Sequence, residues 1–243
     1  MTSAKQGSVR GERLAPWMGG WGIEWVGGGE CRALGEVPGA DWSIPLEEVG
    51  RRLDLRESAF VCTIDPPGSS DVDDALSVKL LPDGLLSVGV HIADVSYFVR
   101  PQSLVDLEAR ARGTTVYLPE RRLDMLPPLL SEHLCSLLGG QDRLALSCMW
   151  RVDPEDGYAV RSTWFGRTII HSRHQLAYGE AQAILDNRPL PSKWQLAGGE
   201  AVLQPIRSAL TVLLAVAQVG MLVGRPHCLP ALCLWAQPEV GGG

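Results

Sequence analysis

Four aspartates fall within ten residues of this chain: Asp65, Asp71, Asp73 and Asp74. They sit in the segment Thr63-Ile64-Asp65-Pro66-Pro67-Gly68-Ser69-Ser70-Asp71-Val72-Asp73-Asp74-Ala75-Leu76, between two apolar runs. A solvated acidic run usually mixes Glu with Lys and lacks apolar flanks. Here the acids are all Asp, and Pro66, Pro67 and Gly68 enforce a tight turn between them. Carboxylates this close repel each other by several kcal/mol at low effective dielectric. A hard cation removes that cost, and all-oxygen ligands suit Mg²⁺ or Mn²⁺. Two such ions about 3.5–4 Å apart activate water and stabilise the leaving oxygen of a phosphodiester.

Other acid chemistries fail on residue type. A calcium-binding helix–loop–helix starting at Asp71 needs an oxygen ligand at residue 75 and glycine at 76, where this chain has Ala75 and Leu76. The Asp-Thr/Ser-Gly of an aspartic protease is absent. The glycine runs at Gly19-Gly20 and Gly27-Gly28-Gly29 are not followed by the Gly-Lys-Ser/Thr of a phosphate loop. The residues alone leave two readings open: a metal site, or an Asp-rich turn that caps the following strand.

The elements that position the cluster follow from periodicity. Ala59 to Ile64 reads as a buried strand. Ala75 to Leu81 and Leu85 to Ile92 read as a β-hairpin around Pro82-Asp83-Gly84. Pro101 to Arg112 and Pro127 to Leu138 read as helices. From Arg143 to Val152 the residues alternate, with Leu144, Leu146, Cys148, Trp150 and Val152 on one face. Ala159 to Ile170 returns as the partner strand, and Ala177 to Leu185 and Gly198 to Val223 are helical by composition. The fold class is α+β: a mixed, mainly antiparallel sheet with surrounding helices.

Composition bounds the rest. The chain has 243 residues, 45% of them hydrophobic, enough for one domain with a core. A net charge of −6 makes it a poor non-specific nucleic-acid binder, so RNA contact requires a local basic face. Six cysteines without a Cys-x-x-Cys pair point to a reduced, intracellular protein. Met1 to Trp17 has no continuous apolar stretch, which argues against a signal peptide. Ser208 to Gly224 is apolar and near the lower length limit for a membrane span. A core-facing helix is the preferred reading.

Three blocks resemble the ribonuclease II (RNB) family. They are Asp65 to Leu76, then Val90-His91-Ile92-Ala93-Asp94-Val95-Ser96-Tyr97-Phe98-Val99, then Arg112-Gly-Thr-Thr-Val-Tyr117-Leu-Pro with Asp124-Met125-Leu126-Pro127. The stretches Leu134 to Arg143, Trp164 to Ile170 and Ala181-Gln182 look most like its eukaryotic Dis3-like members, the Dis3-like exonuclease 1 branch ahead of its exonuclease 2 sister. The resemblance implies hydrolytic 3′→5′ degradation of single-stranded RNA to 5′ mononucleotides, in cytoplasmic decay with the RNA exosome. It makes Asp65, Asp71, Asp73 and Asp74 the holders of Mg²⁺ (Mn²⁺ as the alternative), with Asp71 and Asp73 as catalytic acids. Tyr117 would stack on bases near the 3′ end. Arg112, Arg121 and Arg122, beside Tyr117, would meet phosphates, with Arg110 nearby. Arg161, Arg167, Arg173, His171 and His174 form a second basic stretch, individually better read as solvated surface. His91 and Asp94 are expected in structural roles.

The resemblance divides the chain into a poorly patterned segment 1–49, a partial RNB catalytic domain 50–218 and a divergent tail 219–243. Residues 1–41 and the tail are expected to be irregular. The family's domain extends further, with an additional arginine and exosome-docking regions that find no counterpart here, so the chain reads as a truncated product. Two other expectations compete with catalysis: a catalytically dead RNA-binding or decoy fragment, and a membrane-tethered fragment.

Overall fold

A computed structural model describes residues 37–120, 122–190 and 201–218, and the backbone alone of 200, of 219–222 and of two paired strands, β1 (Trp25–Val26) and β2 (Glu30–Cys31). The remaining parts of the segments expected to be irregular, and Arg121, lie outside the described residues. The chain continues through α1 (Leu46–Arg51), β3 (Leu53–Asp54), β4 (Phe60–Asp65), β5 (Asp74–Leu80) and β6 (Leu86–Ala93). Next come α2 (Val95–Phe98), α3 (Leu104–Arg112), β7 (Val116–Tyr117) and β8 (Arg122–Leu123). A single π-helical turn follows at Leu129–Leu134, then β9 (Asp142–Asp153), β10 (Ala159–His171), β11 (His174–Ala177), α4 (Tyr178–Leu185) and α5 (Glu200–Leu222).

The main sheet has seven strands in the order β11-β4-β5-β6-β9-β10-β3. The five central strands are antiparallel neighbours, and β11 and β3 add in parallel at the two edges. The fold is therefore the mainly antiparallel α+β sheet that the alternation predicts. Both hairpins form where the turn residues place them. Gly84 adopts φ 83° in the first, a conformation that costs glycine least. Of the residues read onto one face of β9, Leu146 is not covered. It pairs with Ile92 on β6, and both are exposed.

Two layers cover the sheet. On one face Val61, Ala75, Ala145 and Ile169 pack with Phe98, Val105 and Leu130 from the helical segments. On the other, Leu76, Val88, Val90, Trp150 and Val152 meet Leu213, Val216 and Ala217 of α5. The buried residues of α5 are Ile206, Ala209, Leu210, Leu213, Val216 and Ala217, a three-and-four spacing that draws one stripe down the helix. By length and composition the window Ala201–Gln218, of mean hydropathy 1.4, is apolar enough to cross a membrane. Its buried stripe on the sheet is the core-facing arrangement expected from the sequence.

Two helix expectations change. The first begins at Leu104, because the Ser103 hydroxyl accepts from the Asp106 N–H and caps it, leaving Pro101 in the preceding turn. The second, expected over 127–138, shrinks to the π-helical turn. The next residues leave the helix because their hydrogen-bonding groups go elsewhere: Leu137 N–H donates to the Val72 carbonyl at 2.8 Å. His91 is buried in β6 between the hydroxyls of Ser147, at 2.6 Å, and Ser77, at 2.8 Å. Burial pulls its pKa down to about 4, so it is a neutral structural residue. Asp94 is buried with Arg52, 2.8 Å away, in an ion pair whose angle falls outside hydrogen-bond geometry. Glu48 completes the group at 2.7 Å from Arg52.

Leu213 is fully buried between α5 and the sheet, so Leu213→Ala is expected to cost about 2–5 kcal/mol in urea unfolding. A loss below about 1 kcal/mol would mean that α5 is not seated on the strands.

Candidate active site

The acid loop joins neighbouring strand ends. Asp65 is the last residue of β4 and Asp74 the first of β5. Between them Ser69 N–H donates to the Pro66 carbonyl at 3.2 Å, closing a turn in which Gly68 has φ 83°. Val72 is fully buried, with Asp71 and Asp73 on either side of it left at the surface. The loop is tied down at several points. Gln175 donates to the Ser69 carbonyl at 3.0 Å, and Ala93 N–H donates to the Asp73 carbonyl at 2.9 Å.

The electrostatics show that the four carboxylates share one region. Burial first, then the charge of Asp74, and further the charges of Asp73 and Asp71, push Asp65 up to about 6. Partial desolvation among the loop atoms, and then the charge of Asp71, raise Asp73 although much of its side chain faces solvent. Burial and then Asp73 raise Asp74. Thr63 is buried near Asp65 and favours its ionised form, but lies outside hydrogen-bond geometry. Asp65 Oδ2 is buried without a hydrogen-bond partner. An orphaned, buried carboxylate oxygen facing like charges has the donor chemistry a hard divalent cation requires. Among the described residues no three His, Cys, Asp or Glu side chains are already drawn into a ligand sphere. Mg²⁺ does not need one, because it binds through one or two carboxylates and keeps several waters or substrate oxygens. The acids therefore fit the ion in type and charge.

The other expected site residues divide. Tyr117 stands 72% exposed on β7, opposite Arg122 on β8. Arg122 bonds Glu132, lies 2.5 Å from Asp124 and reaches Asp71 at 3.4 Å. Among the described arginines it is the one that contacts an acid of the loop, and it is shared among three acids. Arg112 bonds Glu108 at 2.8 Å and the Asp124 carbonyl at 2.9 Å, bracing α3 against the β8 segment. In the second basic stretch, Arg161 pairs with Asp153 and Asp156, Arg173 with Glu57, and His171 with Asp142. Arg167 lies 3.9 Å from Asp94. His174 is half-buried beside Phe60.

Two residues escape the sequence reading. Tyr178 begins α4 directly after Ala177, which pairs with Asp65 across β11 and β4. Burial, then the charges of Asp65 and Asp74, raise its phenol, so it lies within range of the acids' charge. Ser136 reaches the loop from the segment after the π-helical turn. No local pattern announces either one, since both contacts join residues far apart in sequence.

The sign of the charge coupling is testable. An acid whose folded pKa is raised stabilises least when ionised. Stability contributed by Asp65 is therefore present below about 3.8 and is lost as pH rises towards 6. In EDTA, Asp65→Asn should melt higher than the parent above pH 6, with the gap closing towards pH 4. Excess Mg²⁺ should raise the parent's melting temperature more than the variant's. A parent that melts higher than the variant in EDTA at neutral pH would show that the acids do not repel.

Comparison with known proteins agrees with this geometry. Residues 52–218 match the RNB domain family. Two Arabidopsis thaliana proteins, called DIS3-like exonuclease 2 and Inactive exonuclease DIS3L2, are each 53% identical over 156 residues, which is 64% of this chain and 14% of theirs. The mouse Exosome complex exonuclease RRP44 is 48% identical over 154 residues, 63% of this chain and 16% of its own. The chain thus spans only a small part of these relatives' length. Among solved structures, Mycoplasma genitalium RNase R in complex with ribose-methylated single-stranded RNA superposes with a TM-score of 0.63 at 26% identity, over 75% of this chain and 27% of that one. Motif order, sheet topology and these similarities agree, and the chain belongs to the RNB family, with Dis3-like exonucleases among its relatives.

Proposed function

We propose that this chain carries the acid site of a divalent-metal-dependent exoribonuclease that shortens single-stranded RNA from its 3′ end to 5′ mononucleotides. The observation that supports it best is the buried, partnerless Asp65 Oδ2 beside three further carboxylates whose charges it feels. Asp65, Asp71, Asp73 and Asp74 would hold Mg²⁺, or Mn²⁺ in its place. A bound ion supplies charge neutralisation at the phosphodiester and a more acidic water. Asp71 and Asp73 are the catalytic acids in this reading. They orient the attacking water and accept its proton. Tyr117, exposed on its hairpin, stacks against a base near the 3′ end, a contact that tolerates any sequence. Arg122 provides positive charge between Tyr117 and Asp71, with Arg121 next to it in sequence and Arg112 bracing the segment behind them.

The RNA-bound RNase R structure supports single-stranded RNA as the substrate class. The mouse relative's name supports association with the RNA exosome, and cytoplasmic RNA decay is the setting proposed for it. A second reading has its own support: one 53%-identical relative carries the name Inactive exonuclease. In that reading the chain binds RNA through Tyr117 without cutting it.

Purified chain with 5′-labelled single-stranded RNA separates the two. Stepwise shortening from the 3′ end in Mg²⁺, abolished by EDTA and slowed by roughly 10²-fold or more in Asp73→Asn, is the expected result. RNA binding without shortening, by folded protein, would replace catalysis with the second reading. Tyr117→Ala should weaken RNA binding by about 5- to 100-fold, the range of one lost base stack, with the melting temperature unchanged. Unchanged binding in that variant would remove Tyr117 from the RNA path.

A further inference from the structure

We infer that Ser136 is a positioning residue for the acid loop, its one hydroxyl fixing the backbone on both sides of Asp71 so that Asp71 and Asp73 converge on a divalent cation. The inference rests on the metal-site reading above.

Ser136 is 1% exposed and 66 residues away in sequence from the group it donates to. Its hydroxyl donates to the Ser70 carbonyl at 2.7 Å and accepts from the Val72 N–H at 2.9 Å. Those two backbone groups flank Asp71. The side chain thus does what a neighbouring strand would do, satisfying one carbonyl and one amide where the loop has no strand partner. Leu137 N–H then donates to the Val72 carbonyl at 2.8 Å, and Ala93 N–H takes the Asp73 carbonyl from the other side. Ser136 is itself held, because Arg143 Nε donates to its carbonyl at 2.7 Å and Leu134, Cys135 and Leu137 around it are buried.

Rigidity matters here because, among the described residues, no cation bridges two of the four acids. Without an ion, like charges separate as far as their backbone allows. Removing the hydroxyl strands the amide of fully buried Val72 and frees the loop to relax outward. The carboxylates would remain present but spread, and the ion would bind a preorganised site less often.

The test uses the full chain and Mn²⁺ as the probe, with free Mn²⁺ followed by electron paramagnetic resonance. Ser136→Ala is compared with Ser136→Thr, which keeps a hydroxyl, and with Ser77→Ala, which removes an equally buried hydroxyl from the His91 network away from the loop. Ser136→Ala is expected to bind Mn²⁺ roughly 10- to 100-fold more weakly, while the other two stay near the parent. Equal affinity in Ser136→Ala and the parent overturns the inference and leaves the metal site standing. Absence of Mn²⁺ binding by the parent overturns the metal site and the inference with it. Should Ser136→Ala not fold, amide exchange on the parent decides. A Val72 N–H protected like the amides of β4 supports the clamp, and one exchanging like an open loop overturns it.

Discussion

Mutual repulsion among four carboxylates is the constraint on which the rest of this structure depends. Side chains that attract one another can help to assemble their own site. Asp65, Asp71, Asp73 and Asp74 cannot, and the rise in the Asp65 pKa to about 6 records what burial and proximity cost them. Their convergence is therefore imposed by backbone. Two adjacent strand ends supply Asp65 and Asp74. A turn through Pro66 and Gly68 folds the loop back, and bonds from Ala93, Ser136, Leu137 and Gln175 hold it. The sheet behind is dry on both faces of its centre, which lets strand ends act as fixed supports.

Positive charge is distributed with the same logic. Arg52 is buried against Glu48 and Asp94, where it joins α1 to the segment after β6. Arg161, Arg173 and His171 meet surface acids and leave no free basic track along their stretch. Arg122 alone among the described arginines contacts one of the four aspartates, at 3.4 Å, and it divides its charge with Asp124 and Glu132. One shared guanidinium does not neutralise the loop. The remaining negative potential attracts a cation and repels anions.

Much of this was legible in the sequence, and the boundary has a physical basis. Strands and hairpins followed from two-residue alternation and turn residues, which are local. The acid cluster was visible because its members are near neighbours in the chain. Tyr117 stood within a recognisable motif. The parts that escaped are long-range. The helix expected over 127–138 stops early because residues 136 and 137 spend their hydrogen bonds on the acid loop, and helical periodicity carries no trace of that demand. Tyr178 joins the site only because β11 adds in parallel beside β4. Arg112 and Arg122 read as phosphate contacts from the resemblance and their place beside Tyr117, and their acid partners, set by α3 and the β7–β8 hairpin, have no local signal.

The relatives sharpen what decides function here. A protein named as an exonuclease and one named as inactive match this chain at the same 53% identity over the same length. Overall similarity reports the sheet, its register and its core, all of which a non-catalytic member needs equally. In the proposed reading catalysis rests on far fewer atoms: the oxygens of four aspartates and the few bonds that stop them from moving apart. A conservative loss at any of those atoms would leave identity and topology almost unchanged while removing the cation's seat. At the ends of β4 and β5 this chain carries all four acids, with the Ser136 hydroxyl bonded to the backbone on both sides of Asp71.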